Sequence, residues 1–356
     1  MSPSATQPAL EPLLQTIVGD GAARIDRDPT ALARAFRTMG DQGLLGLLAP
    51  VEWGGQAWSS AQVYELIEQS SRYSGALAFL HIQHQRAVQE LAESETQALK
   101  QQYLRDATSG RVGLGVGYSH LRRPRQPVTA QETDGGYLFN GTIPWITGLG
   151  IFDHCMLAAA LPDGRAVFVL LPFQSDESSQ GRIAFGDPME LAAMGSTQTV
   201  AAQLDSWFIP AARVLDIKPP GWIHDYDRQH PLTYCFFILG CARAGLDVLQ
   251  PSQHQADSIA ATYDLLEAEL EHCRRDIYGA LENIDQTNGL TLRARATDVM
   301  MRCAHAAVTA SRGAANYAHH PAQRVYREAL AFTVFGQTSD VLNASFQYMA
   351  SKLSCQ

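Results

Sequence analysis

The hydrophobic rhythm of the chain changes twice. From residue 31 to about 112, apolar side chains recur at helical spacing. In ALARAFRTMGDQGLLGLLAP the apolar face falls on Leu32, Phe36 and Met39, and the segment runs into a Gly-rich turn before the breaker Trp53-Gly54-Gly55. A long helical pattern starts at Ser60 and continues through AQVYELIEQSSRYSGALAFLHIQHQRAVQELAES, and a third runs from Glu95 to about Asp106. At Gly110 the texture shifts to short apolar or alternating runs separated by turn residues: VGLGVGY, YLFNGTIPWIT, CMLAAAL, RAVFVLL and TVAAQLDSWFI. Asn140-Gly141 and Asp163-Gly164 sit between such runs, and these dipeptides favour two-residue hairpin loops. The stretch predicts an antiparallel β domain. After Lys218-Pro219-Pro220-Gly221 the helical rhythm returns. PLTYCFFILGCARAGLDVLQ is apolar nearly all round and predicts the centre of a bundle, with long amphipathic helices after it.

The expected fold class is therefore α+β: a helical N-terminal domain (1–112), a barrel-like β domain (113–216) and a C-terminal four-helix bundle (217–356). A doubly wound sheet is excluded, since strands do not alternate with helices and no Gly-rich dinucleotide loop follows a strand. The motif GxxxxGK[ST] is absent as well. The 356 residues, 46% hydrophobic and 18% charged, are too apolar for a disordered chain, and no run reaches the ~20 apolar residues of a membrane span. With 27 basic against 36 acidic residues, a net charge of −9 points away from nucleic acid. Six cysteines (Cys155, Cys235, Cys241, Cys273, Cys303, Cys355) form no CxxC pair, so buried, reduced thiols are expected. The start, MSPSATQPALEPLL, has no basic region leading into an apolar core, which makes the cytoplasm the expected location. His81 and His84 lie three apart on one helix face without a carboxylate partner, and no metal site is expected.

Four stretches, in shared order and spacing, carry a resemblance. They are Met39-Gly40 through Gly54-Gly55; Gly136-Tyr137-Leu138-Phe139-Asn140-Gly141 followed by Trp145-Ile146-Thr147; Met194-Gly195-Ser196-Thr197 leading into Phe208-Ile209-Pro210-Ala211; and Pro321 through Ala329 followed by Thr338-Ser339-Asp340. Together they resemble the acyl-CoA dehydrogenase superfamily of flavoproteins over nearly the whole chain. The resemblance implies FAD between the β domain and the final bundle, and a homodimer or homotetramer built through that bundle. It implies that Trp145 shields the flavin, that the Thr147 hydroxyl meets its N5 edge, and that Thr338 and Asp340 meet a diphosphate or ribose at a helix start. A helix cap by Thr338 or Ser339 is the alternative reading there.

The chain also departs from the superfamily pattern. Acyl-CoA dehydrogenation needs a carboxylate to take the α-proton. One usual position for it reads Phe335-Gly336-Gln337-Thr338, and the other reads Tyr234-Cys235-Phe236-Phe237; neither offers a carboxylate. The flavin and substrate loop is replaced by Gly117-Tyr118-Ser119-His120-Leu121-Arg122-Arg123-Pro124, and the arginine segment that reaches a neighbouring subunit's flavin has no counterpart. Candidate catalytic groups are then Ser119, His120 and His320, while Arg122, Arg123 and Arg125 either face a phosphate or sit in a solvated loop. The expected function is a flavin-dependent oxidoreductase acting on an acyl thioester of CoA or a carrier protein, or a related small molecule. The alternatives are a two-component monooxygenase using O₂ and reduced flavin (FMN or FAD) from a reductase, and a degenerate homologue that binds without turnover.

Overall fold

The computed structural model describes residues 9–283 and 285–354; Cys355 lies outside the described residues. The helical N-terminal part comprises α1 (Leu10–Val18), α2 (Ala22–Ile25), α3 (Pro29–Asp41), α4 (Ser60–Tyr73) and α5 (Gly75–Glu93). A continuous helical stretch follows, made of α6 (Gln97–Leu99), a π-helical turn (Lys100–Leu104) and α7 (Arg105–Thr108). Local chemistry sets the helix starts. Asp28 caps α3 with Pro29 behind it, and Ser59 with Gln62 closes a capping box on α4. The long pattern that starts at Ser60 is two helices and not one. Ser74 adopts an extended backbone and caps α5, and Gly75 brings its N–H to Glu328 Oε1 at 3.1 Å in the C-terminal part. A tertiary hydrogen bond and a serine cap outweigh helical continuity here.

Nine strands between Leu114 and Lys218 form one sheet: β1 (Leu114–Gly117), β2 (Val128–Thr133), β3 (Gly136–Ile146), β4 (His154–Ala160), β5 (Ala166–Pro172), β6 (Asp176–Ser178), β7 (Gly181–Phe185), β8 (Val200–Pro210) and β9 (Val214–Lys218). The order is β6-β7-β8-β3-β2-β4-β5-β9, with β1 added beside β4. Most pairings are antiparallel, but β1 runs parallel to β4, with Gly115 opposite Cys155, and β2 touches β4 in parallel at Thr129 and Ala160. The expected antiparallel domain is thus a mixed sheet. Asp163-Gly164 does turn β4 into the antiparallel β5. Asn140-Gly141, by contrast, lies inside β3. The β2–β3 turn is made by Asp134-Gly135, and Gly141, at φ +117°, forms an irregularity in the β3–β8 register. A Cβ there would stand 2.2 Å from the Pro127 carbonyl oxygen, so the glycine is needed for close backbone approach and not for a hairpin.

The C-terminal part holds α8 (Trp222–Gln229), α9 (Cys235–Leu249), α10 (Asp257–Gly279), α11 (Gln286–Ser311), α12 (Pro321–Thr333) and α13 (Ser339–Ser354). As its all-round apolar sequence predicts, α9 is buried along most of its length and packs against α4, α10, α11 and α12. The main hydrophobic core runs without a break from the N-terminal helices through the sheet into this bundle. Five cysteines, Cys155, Cys235, Cys241, Cys273 and Cys303, are buried free thiols. Among the described residues no helix is long and apolar enough to cross a membrane, and no cluster of His, Cys, Asp or Glu could hold a metal ion.

Candidate functional site

A cavity of about 860 Å³ lies where α4 and α5, the sheet, and the C-terminal helices meet. That is within the size range of small-molecule sites. Its β-domain wall carries Trp145, Thr147, Thr197 and Thr199, and the turn Ser119–Arg122 closes one side. The opposite wall comes from Tyr226, Tyr234, Phe237 and the segment Leu330–Gln337. Ile143 and Ile146 on β3 are both fully buried, a register irregularity lies between them, and Trp145 within it is 45% exposed on the cavity side.

Three hydroxyls form a relay on the β-domain wall. Thr197 Oγ1 donates to the Met194 carbonyl at 2.8 Å, and Thr199 Oγ1 lies 3.2 Å from both Thr197 Oγ1 and Thr147 Oγ1. A hydroxyl has one proton. With that of Thr197 spent on Met194, Thr199 donates to Thr197 and Thr147 donates to Thr199. Thr147 therefore presents only lone pairs. The loop that starts the relay is held by Asp26, which is buried. Its Oδ1 accepts the Met194 N–H at 2.8 Å, its Oδ2 takes Arg327 Nη2 at 2.5 Å, and Arg327 Nη1 donates to the Ala192 carbonyl. One carboxylate thereby ties this wall to α12. No sequence motif pointed to Asp26.

His120 is 1% exposed, and its Nε2 donates to the Ala158 carbonyl at 3.0 Å, which leaves Nδ1 as the bare nitrogen, buried without a partner. Burial pushes its pKa down to about 4, so the ring is neutral at ordinary pH. Ser119 is exposed at the same edge of the cavity. His320 is elsewhere: its Nδ1 accepts the Ala322 N–H at 3.2 Å as the cap of α12, and it lines neither this cavity nor its neighbour. Arg122 is committed too, with Nε and Nη2 both 2.7 Å from the Asp227 carboxylate, while Arg123 and Arg125 are exposed. His81 and His84 are buried and structural. His81 meets the Leu44 carbonyl, and His84 bridges the Ala107 carbonyl and the Leu114 N–H.

The bundle wall is where the sequence departs most. Gly336 has φ +53°, and a Cβ on it would stand 2.0 Å from Tyr234 Cε2. Of the two positions that could have carried a carboxylate, Cys235 is fully buried away from the cavity, and the ring of its neighbour Tyr234 occupies the room a side chain at Gly336 would need. Behind the ring lies Arg293, 4% exposed, with its guanidinium carbon 5.2 Å from the Tyr234 centroid and a hydrogen bond to the Phe335 carbonyl. None of the residues lining the large cavity is an aspartate or a glutamate. A smaller pocket of about 150 Å³ shares His230, Tyr234 and Gly336 with it and contains Thr338 and Asp340. There Thr338 Oγ1 accepts the Val341 N–H at 3.2 Å as the cap of α13, and Asp340 accepts from Gln286 Nε2 at 3.0 Å.

Residues 6–111 match the family model of the acyl-CoA dehydrogenase N-terminal domain. A mitochondrial 2-methylacyl-CoA dehydrogenase from Solanum tuberosum is 23% identical over 86% of this chain and 79% of its own. The N-terminal third of the chain thus matches the acyl-CoA dehydrogenase N-terminal domain, and the likeness to these dehydrogenases extends over most of the chain. Alignments with plant and animal dehydrogenases span 45% to 80% of those proteins' lengths. Butyryl-CoA dehydrogenase from Megasphaera elsdenii has the same fold (TM-score 0.77, 17% identity, covering 97% of this chain and 99% of that one). So does an FAD complex of PigA (0.77, 17%, 98% of each). Dibenzothiophene monooxygenase TdsC from Paenibacillus sp. A11-2 shares it at TM-score 0.70 and 18% identity, over 96% of each chain.

The cavity fits a flavin ring. It has the volume, a half-exposed indole and an acceptor hydroxyl, and Gln337 Oε1 in its wall is a buried acceptor without a partner. The fit covers the ring. For the diphosphate, Arg122 is already committed to Asp227.

Proposed function

We propose that this protein is a flavin-dependent oxidoreductase that acts on a small organic substrate without a carboxylate general base. One observation carries the reading: the cavity that suits flavin and substrate is lined by no aspartate or glutamate. General-base help is worth roughly 10²–10⁴-fold, so α-proton removal from an acyl thioester is poorly served here. Bound in the cavity, FAD would supply the two-electron chemistry of the reaction. Trp145 would cover the ring and exclude water, and Thr147, backed by Thr199 and Thr197, would accept a hydrogen bond from a ring N–H.

The hydroxyl relay favours the two-component monooxygenase within this reading. Thr147 offers lone pairs and no proton, so its partner must be a donor, and flavin N5 carries a proton only when reduced. That suits a protein that takes reduced flavin from a reductase. Absorbance of the purified protein separates the possibilities. Colourless protein that binds reduced flavin more tightly than oxidised flavin is the expected result. A yellow protein bleached by an acyl-CoA without oxygen would return the chain to the ordinary dehydrogenases, and no flavin binding in either redox state would leave a degenerate homologue.

The partner is a second copy of the chain. Leu342, Phe346, Met349 and Leu353 line one face of α13 and are 44–75% exposed, more apolar surface than one surface helix normally shows to water. Light scattering should give a dimer or tetramer at micromolar concentration, and Phe346→Asp should shift it toward monomer.

A further inference from the structure

We infer that the large cavity takes a substrate bearing an anionic oxygen, a carboxylate or phenolate on a flat body, and that the Tyr234 hydroxyl is the group that meets it. The inference rests on reading this cavity as the substrate site. Where a carboxylate would accept a proton, this chain sets a phenol, which donates. Its Oη has no hydrogen-bond partner among the described residues, and its side chain borders both the large cavity and the small pocket.

The surrounding charge has the same sign. Arg86, Arg122 and Arg123 line the large cavity, and no carboxylate does. Arg86 is matched by Glu90 and Arg122 by Asp227, but Arg123 makes no ion pair among the described residues. Arg293, behind the Tyr234 ring, is buried and has no ion-pair partner there either; only the Phe335 carbonyl answers it. A buried cation without a counter-ion is costly, and an anion held at the Tyr234 hydroxyl would offset part of that cost. The two nearby carboxylates, Asp227 and Asp340, lie in the small pocket and are already bonded to Arg122 and Gln286. Tyr118, Tyr226, Phe237 and Phe335 suit a flat apolar body better than a flexible acyl chain.

The polarity of the site is thus reversed relative to a proton-abstracting one. A thioester presents a C–H to a base, whereas this wall presents an O–H to an acceptor. The test is isothermal titration of the purified protein with benzoate and with its neutral isostere benzamide, with and without FAD. Benzoate should bind about tenfold more tightly, the difference expected of a hydrogen bond to a charged acceptor. Tyr234→Phe keeps the ring against Gly336 and should cut the preference to about twofold. Arg293→Gln, which keeps a donor for the Phe335 carbonyl, should weaken benzoate and leave benzamide nearly unchanged. Equal affinity for the two compounds, no saturable benzoate binding, or a preference unmoved by Tyr234→Phe would each overturn the inference. Failure of FAD to bind, with the benzoate preference intact, would sink the flavin reading and leave this one standing.

Discussion

The two walls of the cavity differ in kind. The β-domain wall is polar and pre-organised: three threonine hydroxyls in series, an indole lining the same cavity, and a buried Asp26 that fastens their loop to α12. The bundle wall is filled by aromatic rings, and at Gly336 the backbone takes a left-handed conformation that lets Tyr234 close over it. One side preserves the residues by which the chain resembles flavoprotein dehydrogenases. The other turns no aspartate or glutamate toward the cavity. The two faces can vary independently, because separate chain segments supply them.

The most disruptive way to probe this contrast is to place a carboxylate at position 336. Gly336→Glu forces a side chain into a left-handed backbone and against the Tyr234 ring. It should destabilise the protein by about 3 kcal/mol or more and confer no acyl-CoA dehydrogenation. Shrinking the obstacle with Tyr234→Ala in the same chain should recover much of that loss. Urea unfolding reads both effects. Equal stability of Gly336→Glu and the unchanged protein would mean that the bundle wall is looser than the Tyr234–Gly336 contact implies.

On the β-domain wall the balance is opposite, with a large effect on the ligand and a small one on the fold. Replacing Trp145 and Thr147 by Ala should weaken flavin binding more than tenfold in a fluorescence titration. Stability should change little at Trp145, which is 45% exposed. Thr197→Val sharpens the test. It removes the hydroxyl that fixes the direction of the relay, so the preference for reduced over oxidised flavin should shrink while overall affinity persists. An unchanged flavin affinity in the Trp145 and Thr147 variants would place the ring elsewhere.

Much of this was legible in the sequence, and what was not has physical reasons. The apolar run of α9 and the change to short strands at Gly110 gave the α+β order, since periodicity follows directly from what is buried. The parallel pairings of β1 and β2 with β4 were hidden, because strand direction depends on distant partners. Asn140-Gly141 looked like a hairpin turn because the same two residues serve a turn or a bulge, and only the approach of Pro127 decides between them. In the site, Trp145, Thr147, Ser119 and His120 line one cavity, and Thr338 with Asp340 line the pocket beside it. His320 turned out to cap its own helix. Asp26 and Arg293 carry no local signal, since each gains its place from contacts with residues far along the chain.

The smallest effect isolates the β-domain wall through pH. His120 is held neutral by burial, with its pKa at about 4, whereas an unfolded chain protonates it near 6.5. Between those values the unfolded state binds more protons than the folded one, so stability rises with pH in that window. The contribution is complete above about pH 6.5 and is lost as pH falls toward 4. For one histidine it amounts to roughly 1–3 kcal/mol. His81 and His84, pushed down to about 4 and about 3 by the same burial, add to the total in the same direction. His120→Asn removes one titrating group and keeps an amide that can donate to the Ala158 carbonyl. The slope of unfolding free energy against pH, measured by urea denaturation between pH 4.5 and 6.5, should fall by up to one proton's worth in this variant. An identical slope would mean that His120 is reached by water in the folded protein, and that the turn it anchors is an open edge of the cavity and not part of its wall.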